Sequence, residues 1–160
     1  AFATLIHRIV GQWLETNRPM PNILPAPAIL ASLMRGEIER FMASARVRSE
    51  VDLNTRKRSH RRYHRSWPLL VSDAQGITEV SAALHDASAM GIGFLCDASL
   101  EVGSLVFIKL FWLEDSGLRV PAVVKHISDH RRATLVGCKF AVDDPAACAA
   151  AYADRQWYDH

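Results

Sequence analysis

From Trp67 to Ala141 the chain falls into six short apolar segments separated by turn-forming residues, and this constrains its fold more than any other feature. The segments read "WPLLVS" (67–72), "ITEVSAALH" (77–85), "GIGFLC" (91–96), "GSLVFIKLFWL" (103–113), "LRVPAVVKHI" (118–127) and "ATLVGCKFA" (133–141). They are too short for helices and rich in Val, Ile, Leu and Phe, as strands are. "DAQG" and "EDSG" each end a turn on glycine, and "SDHRR" breaks the fifth segment from the sixth. Strands at hairpin spacing, with no helices between them, predict a six-stranded antiparallel barrel. Pro121 lacks an N–H, so the fifth strand is expected to carry an edge or a bulge there. The closing stretch "DDPAACAAAYADRQWY" predicts a C-terminal helix, capped by Asp143 or Asp144 with Pro145 in its first turn.

The first third differs in texture. Phe2, Leu5, Ile6, Ile9, Val10 and Trp13 recur three and four apart, predicting a short amphipathic helix over residues 1–15. "NRPMPNILPAP" (17–27) holds four prolines in eleven residues, which stops that helix. A second helix is predicted from Ala28 to about Val47, its apolar face carrying Leu30, Met34, Ile38, Phe41, Met42 and Ala45. The chain thus divides into an N-terminal helical region (1–50), an Arg-rich switch segment (51–66) and a barrel with its helix (67–160). The N-terminal helices are expected to pack on the barrel or on each other, or to form a ligand-regulated partner or homo-oligomer surface through the Met- and Phe-bearing face of 30–45. A weaker option lays residues 1–15 on a membrane surface.

With 49% apolar and 22% charged residues this is a globular chain. Cys96, Cys138 and Cys148 are odd in number and widely spaced, against a disulfide framework or a zinc knuckle and in favour of a reducing compartment. No apolar run is long enough to span a membrane.

Net charge is only +2, yet "RKRSHRRYHR" (56–65) gathers six Arg or Lys and two His without an acid. The excess is local, unlike the broad positive surface of a general nucleic-acid binder. The run reads either as a solvated connector or as an anion site. Arg58 and Arg62 stand four apart, as do Arg61 and Arg65, so helical or extended backbone lets several guanidinium forks converge on one phosphate or guanine edge. Downstream, "LHDASAMGIGF" (84–94) sets Asp86, Ser88 and Gly91 between two strands. Alone, that is a turn closed by its own Asp or Ser side chain. As a ligand site, Asp86 accepts from guanine N–H donors, Ser88 donates to phosphate, and Gly91 supplies positive φ or close backbone approach.

Taken in order, these motifs resemble those of the PilZ domain, a bacterial receptor module for cyclic di-GMP. The resemblance rests on RxxxR before the first strand, met by "RRYHR", and on [D/N]xSxxG between the second and third strands, met by "DASAMG". It covers roughly residues 56–158 and implies a PilZ-type barrel. It further implies that Arg61 and Arg65, with Arg62 between them, hold phosphates and a guanine edge, while Asp86 and Ser88 hold the other guanine and Gly91 permits the tight approach. The register 58/62 also satisfies RxxxR; 61/65 is preferred because Arg65 leads directly into the first strand. In relatives an arginine just before the motif accompanies a stacked ligand dimer. Here that position is His60, with Arg58 two residues back, so one or two ligands remain open.

His60/His64 and His126/His130 share i, i+4 spacing without nearby carboxylates or thiols, the second pair straddling a turn, and no metal is expected. Cys138 and Cys148 read as buried structural thiols, and Phe111 and Trp112 as core or barrel exterior. No catalytic constellation stands out. The expectation is a non-enzymatic cyclic di-GMP receptor of the bacterial cytoplasm, or the inner membrane face, serving motility or exopolysaccharide regulation. Ligand orders the Arg-rich segment on the barrel and changes an interdomain or protein contact. The alternatives are a single-stranded nucleic-acid-binding barrel, a PilZ-like scaffold that binds only protein, and, since the chain starts at Ala1, the regulatory tail of a longer protein such as a polysaccharide synthase.

Overall fold

The computed structural model describes residues 24–49, 67–74, 78–114 and 118–158, with backbone alone at 46–49 and 154–158. The predicted helix over 1–15, most of the proline-rich connector, His64, and the run holding Arg58, His60, Arg61, Arg62 and Arg65 lie outside the described residues. The elements are α1 (Pro27–Ser49), β1 (Pro68–Asp73), β2 (Glu79–Ala87), β3 (Gly91–Cys96), β4 (Leu105–Lys109), β5 (Arg119–His130), β6 (Ala133–Phe140) and α2 (Pro145–Tyr158).

The six strands close in the order β1-β2-β3-β6-β5-β4, every pair antiparallel. Closure follows from alternation. Leu69 and Val71, Leu84, Ile92 and Phe94, Val106 and Ile108, Val120 and Ala122, and Val136 and Cys138 point inward and are buried. Six strands enclose only enough room for such side chains, so the interior is a packed core without a channel. Pairing β4 back onto β1 leaves neither strand an exposed edge.

That closure refines the reading of Pro121. β5 pairs with β4 over Arg119–Val123 and with β6 only from Ala122 on, so it is no outer edge strand, and Pro121 lies just before the second ladder. Its carbonyl accepts from the Ala141 N–H at 2.8 Å. In an antiparallel strand the N–H of a residue faces the same neighbour as its carbonyl. The N–H that Pro121 lacks would therefore face β6, just before their ladder begins at Ala122. The bulge of β5 comes further on, between Val124 and His126. β5 also runs further than "SDHRR" implied, to His130, and turns on Arg131 in left-handed conformation (φ 59°). β4 is shorter than its apolar run, because Phe111, Trp112 and Leu113 leave the ladder.

α1 begins with Pro27 in its first turn, and Ala26 O accepts from the N–H groups of Ile29 and Leu30. Its predicted apolar face, Leu30 to Ala45, is wholly buried in the same core as the barrel. The Met- and Phe-bearing face thus packs on the chain's own barrel and α2, and the outer side carries Ile29 and Leu33 instead. At the end of the barrel Phe41 meets Trp67 edge-on at 5.1 Å, and both rings meet Phe111. Arg40 lies 3.7 Å over the outer face of Phe111 and forks onto Glu114 with two 2.8 Å bonds. Those bonds hold the Glu114 carboxyl below its usual range. α2 is capped by Asp144, whose Oδ1 accepts from Ala146 and Ala147 N–H. Phe41→Ala empties the centre of this aromatic cluster and is expected to cost about 3–5 kcal/mol in urea denaturation. A loss under about 1 kcal/mol would mean that α1 does not seal the barrel.

Candidate functional site

Leu84 points into the core, and two-residue alternation would send Asp86 in after it. A β-bulge between Leu84 and Asp86 prevents this by adding one residue, His85, to β2. Parity flips, so Asp86 emerges on the outer surface with its side chain 57% exposed. Its carboxylate lies over Gly93 on β3, where a Cβ would come within 2.0 Å of Oδ1. The bulged His85 is largely buried, and its Nδ1 has no hydrogen bond, standing 3.5 Å from Asp86 Oδ1. Its ring meets that of His130 edge-on at 5.7 Å.

The β2–β3 turn is tied by Ser88. Its N–H donates to Gly91 O at 2.8 Å, and its Oγ lies 3.2 and 3.3 Å from the N–H groups of Met90 and Gly91. Gly91 does not use positive φ, which among the described glycines occurs only at Gly103. Its missing Cβ is accounted for by β6, where the Cys138 carbonyl oxygen would lie 2.4 Å from it. Asp86, Ser88 and Gly91 therefore gather at one corner of the barrel surface. Trp67 O accepts from Leu84 N–H at 2.9 Å at the same corner. The first described residue after the basic run thus lies one residue from the bulge.

β5 mirrors this arrangement. Its bulge turns His126 outward after the inward Val124, and the imidazole covers Gly137. His126 and His130 both lie on β5, so this pair does not straddle a turn as expected. The sequence signal for Gly93 and Gly137 is a glycine inside each of two apolar strands, "GIGF" and "VGCKF". Among the described residues no three His, Cys, Asp or Glu side chains come together as a metal site. All three cysteines are free and buried, and burial pushes the Cys138 thiol up to about 12. Trp112 is partly exposed in the β4–β5 connection, while Phe111 belongs to the aromatic cluster.

A family model described as the PilZ domain matches residues 56–151, which include both motifs. Among solved structures, the chain is similar to YcgR from Escherichia coli, crystallised in complex with c-di-GMP. Identity is 18%, the match covers 57% of this chain and 41% of that one, and the TM-score is 0.41. Comparison with curated proteins returns no match.

Gly91→Ala forces a Cβ against the β6 backbone and is expected to destabilise the fold by about 1–3 kcal/mol, read as a lower thermal midpoint. An unchanged midpoint would disprove the close approach. At pH 8 the Cys138 thiol stays protonated, so iodoacetamide should leave it unlabelled in the folded chain and label it in urea.

Proposed function

The chain belongs to the PilZ family, and from that premise we propose that it is a non-enzymatic receptor for cyclic di-GMP, working in the bacterial cytoplasm. The observation that carries the reading is the corner at which Trp67 O meets Leu84 N–H. Arg65 precedes Trp67 by two residues, a reach of about 7 Å at full extension. Trp67 itself lies beside the bulge that turns the Asp86 carboxylate outward. Arg61 and Arg65, with Arg62, supply bidentate forks for the phosphates and a guanine edge. Asp86 accepts from the N–H donors of a guanine, while Ser88 and Gly91 keep the turn close to the ligand. His60 and Arg58 are the residues proposed to contact a second, stacked ligand where two are bound.

The switch is the ordering of residues 51–66 against the barrel by the bound phosphates. Trp67 carries it inward, since its indole packs on Phe41 of α1. Ligand thereby alters the surface α1 offers to a protein partner, a second copy or a neighbouring domain. Three free cysteines suit a reducing compartment. Among the described residues no helix is long and apolar enough to cross a membrane. Control of motility or exopolysaccharide fits the family.

Calorimetry against cyclic di-GMP, GTP and short oligonucleotides tests the proposal. Cyclic di-GMP alone should bind at micromolar concentration. Arg61→Ala and Asp86→Ala should each weaken it about 100-fold, as expected when a charge-assisted contact of about 2–3 kcal/mol is lost, with the thermal midpoint unchanged. Arg58→Ala should weaken it less if 61/65 is the working register. Unchanged affinity in both Arg61→Ala and Asp86→Ala, or equal binding of oligonucleotides, would refute the proposal.

A further inference from the structure

A regular strand sends consecutive side chains to opposite faces of its sheet, so residues 85 and 86 would ordinarily not meet. The bulge in β2 suspends that rule. Its register shifts between Leu84 and Asp86, and His85 is left without a partner on β3. The imidazole therefore stands beside the carboxylate of its own neighbour, with Nδ1 3.5 Å from Asp86 Oδ1. That nitrogen is closed to solvent and makes no hydrogen bond, the one buried side-chain polar atom among the described residues of which this is true. Buried polar atoms are nearly always satisfied, and one that is not calls for a reason. The acceptor it faces is Asp86.

The His85 ring is held in that direction. Its side chain is only 16% exposed, and His130 at the end of β5 meets it edge-on at 5.7 Å. Asp86, by contrast, is mostly exposed and leans over Gly93, where the missing Cβ leaves room for Oδ1. Fixing an exposed carboxylate on a ligand costs side-chain entropy. A rigid donor beside it removes part of that cost beforehand. We infer that His85 is a positioning residue for ligand binding: its Nδ1–H donates to Asp86 Oδ1 and holds the carboxylate in the rotamer that accepts from the ligand's N–H donors. At 3.5 Å the contact is about 0.5 Å longer than a good N–H···O bond, and a small rotation of the exposed carboxylate closes it. His85 acts through Asp86 and touches no ligand. It lies outside "DASAMG", so the device is written in this chain's own sequence. The inference rests on the reading of the chain as a cyclic di-GMP receptor.

Calorimetry with cyclic di-GMP on the full chain and on His85 variants tests it, with thermal midpoints alongside. His85→Ala and His85→Phe should each weaken binding about 10-fold, the size of one lost hydrogen bond to a charged group. The phenylalanine keeps a flat ring against His130 and lacks the donor. His85→Asn sets an amide N–H near the place of Nδ1 and should bind within about 3-fold of the parent. In an Asp86→Ala background, adding His85→Ala should change affinity by less than about 2-fold, because the group it positions is gone. A phenylalanine variant that binds as the parent does overturns the inference and leaves the imidazole a space-filling part only. An asparagine variant as weak as alanine overturns it too, as does an equal loss from His85→Ala with and without the Asp86 carboxylate. In each of those cases the parent still binds and the receptor reading stands. Absence of binding by the parent chain overturns that reading and this inference with it.

Discussion

Trp67 joins three parts of the molecule that would otherwise be separate. Its indole N–H donates to Leu110 O at 2.8 Å, tying the start of β1 to the end of β4 where the barrel closes. The indole also meets Phe41 of α1 edge-on, so the helix that seals the barrel rests on the same side chain. Its carbonyl accepts from Leu84 N–H, next to the bulge that exposes Asp86. Edge-to-face aromatic pairs contribute about 0.5–1.5 kcal/mol beyond the area they bury. What Trp67 adds is position: closure, the helical cap and the outward carboxylate converge on the first described residue after the basic run.

The second governing device is the bulge. A strand with a strict period of two cannot bury Leu84 and expose Asp86, or bury Val124 and expose His126. One extra residue in each of β2 and β5 resolves both conflicts without breaking the ladder on either side. The charged surface is managed by pairing. Arg119 on β5 crosses β4 to bond Ser72 on β1 and Glu79 on β2, and Arg40 joins α1 to Glu114 while covering Phe111. Both arginines set their guanidinium forks on oxygen, and Arg40 also lays its guanidinium over the Phe111 ring.

Much of the fold was legible because it depends on local rules. Six apolar runs with turn residues between them became six strands, Asp144 and Pro145 start α2, and the spacing from Leu30 to Ala45 became the buried face of α1. The misreadings share a cause. Apolarity does not separate a strand from an apolar turn, so β4 looked longer than its ladder allows. A tight two-residue turn on Arg131 carries no glycine or proline, so β5 looked shorter. Pro121 suggested an edge because the sequence does not reveal that its N–H side faces the end of a ladder.

By itself the sequence determined the six strands, the buried face of α1, the start of α2 and the two motifs, since each follows from the spacing of residues along a few turns of chain. Only tertiary structure decided which strands are neighbours, and with them the row from Asp86 through Gly93 and Gly137 to His126. The four residues are scattered over 52 positions of sequence. They meet because β6 inserts between β3 and β5, a pairing set by closure of the whole barrel and by no local pattern.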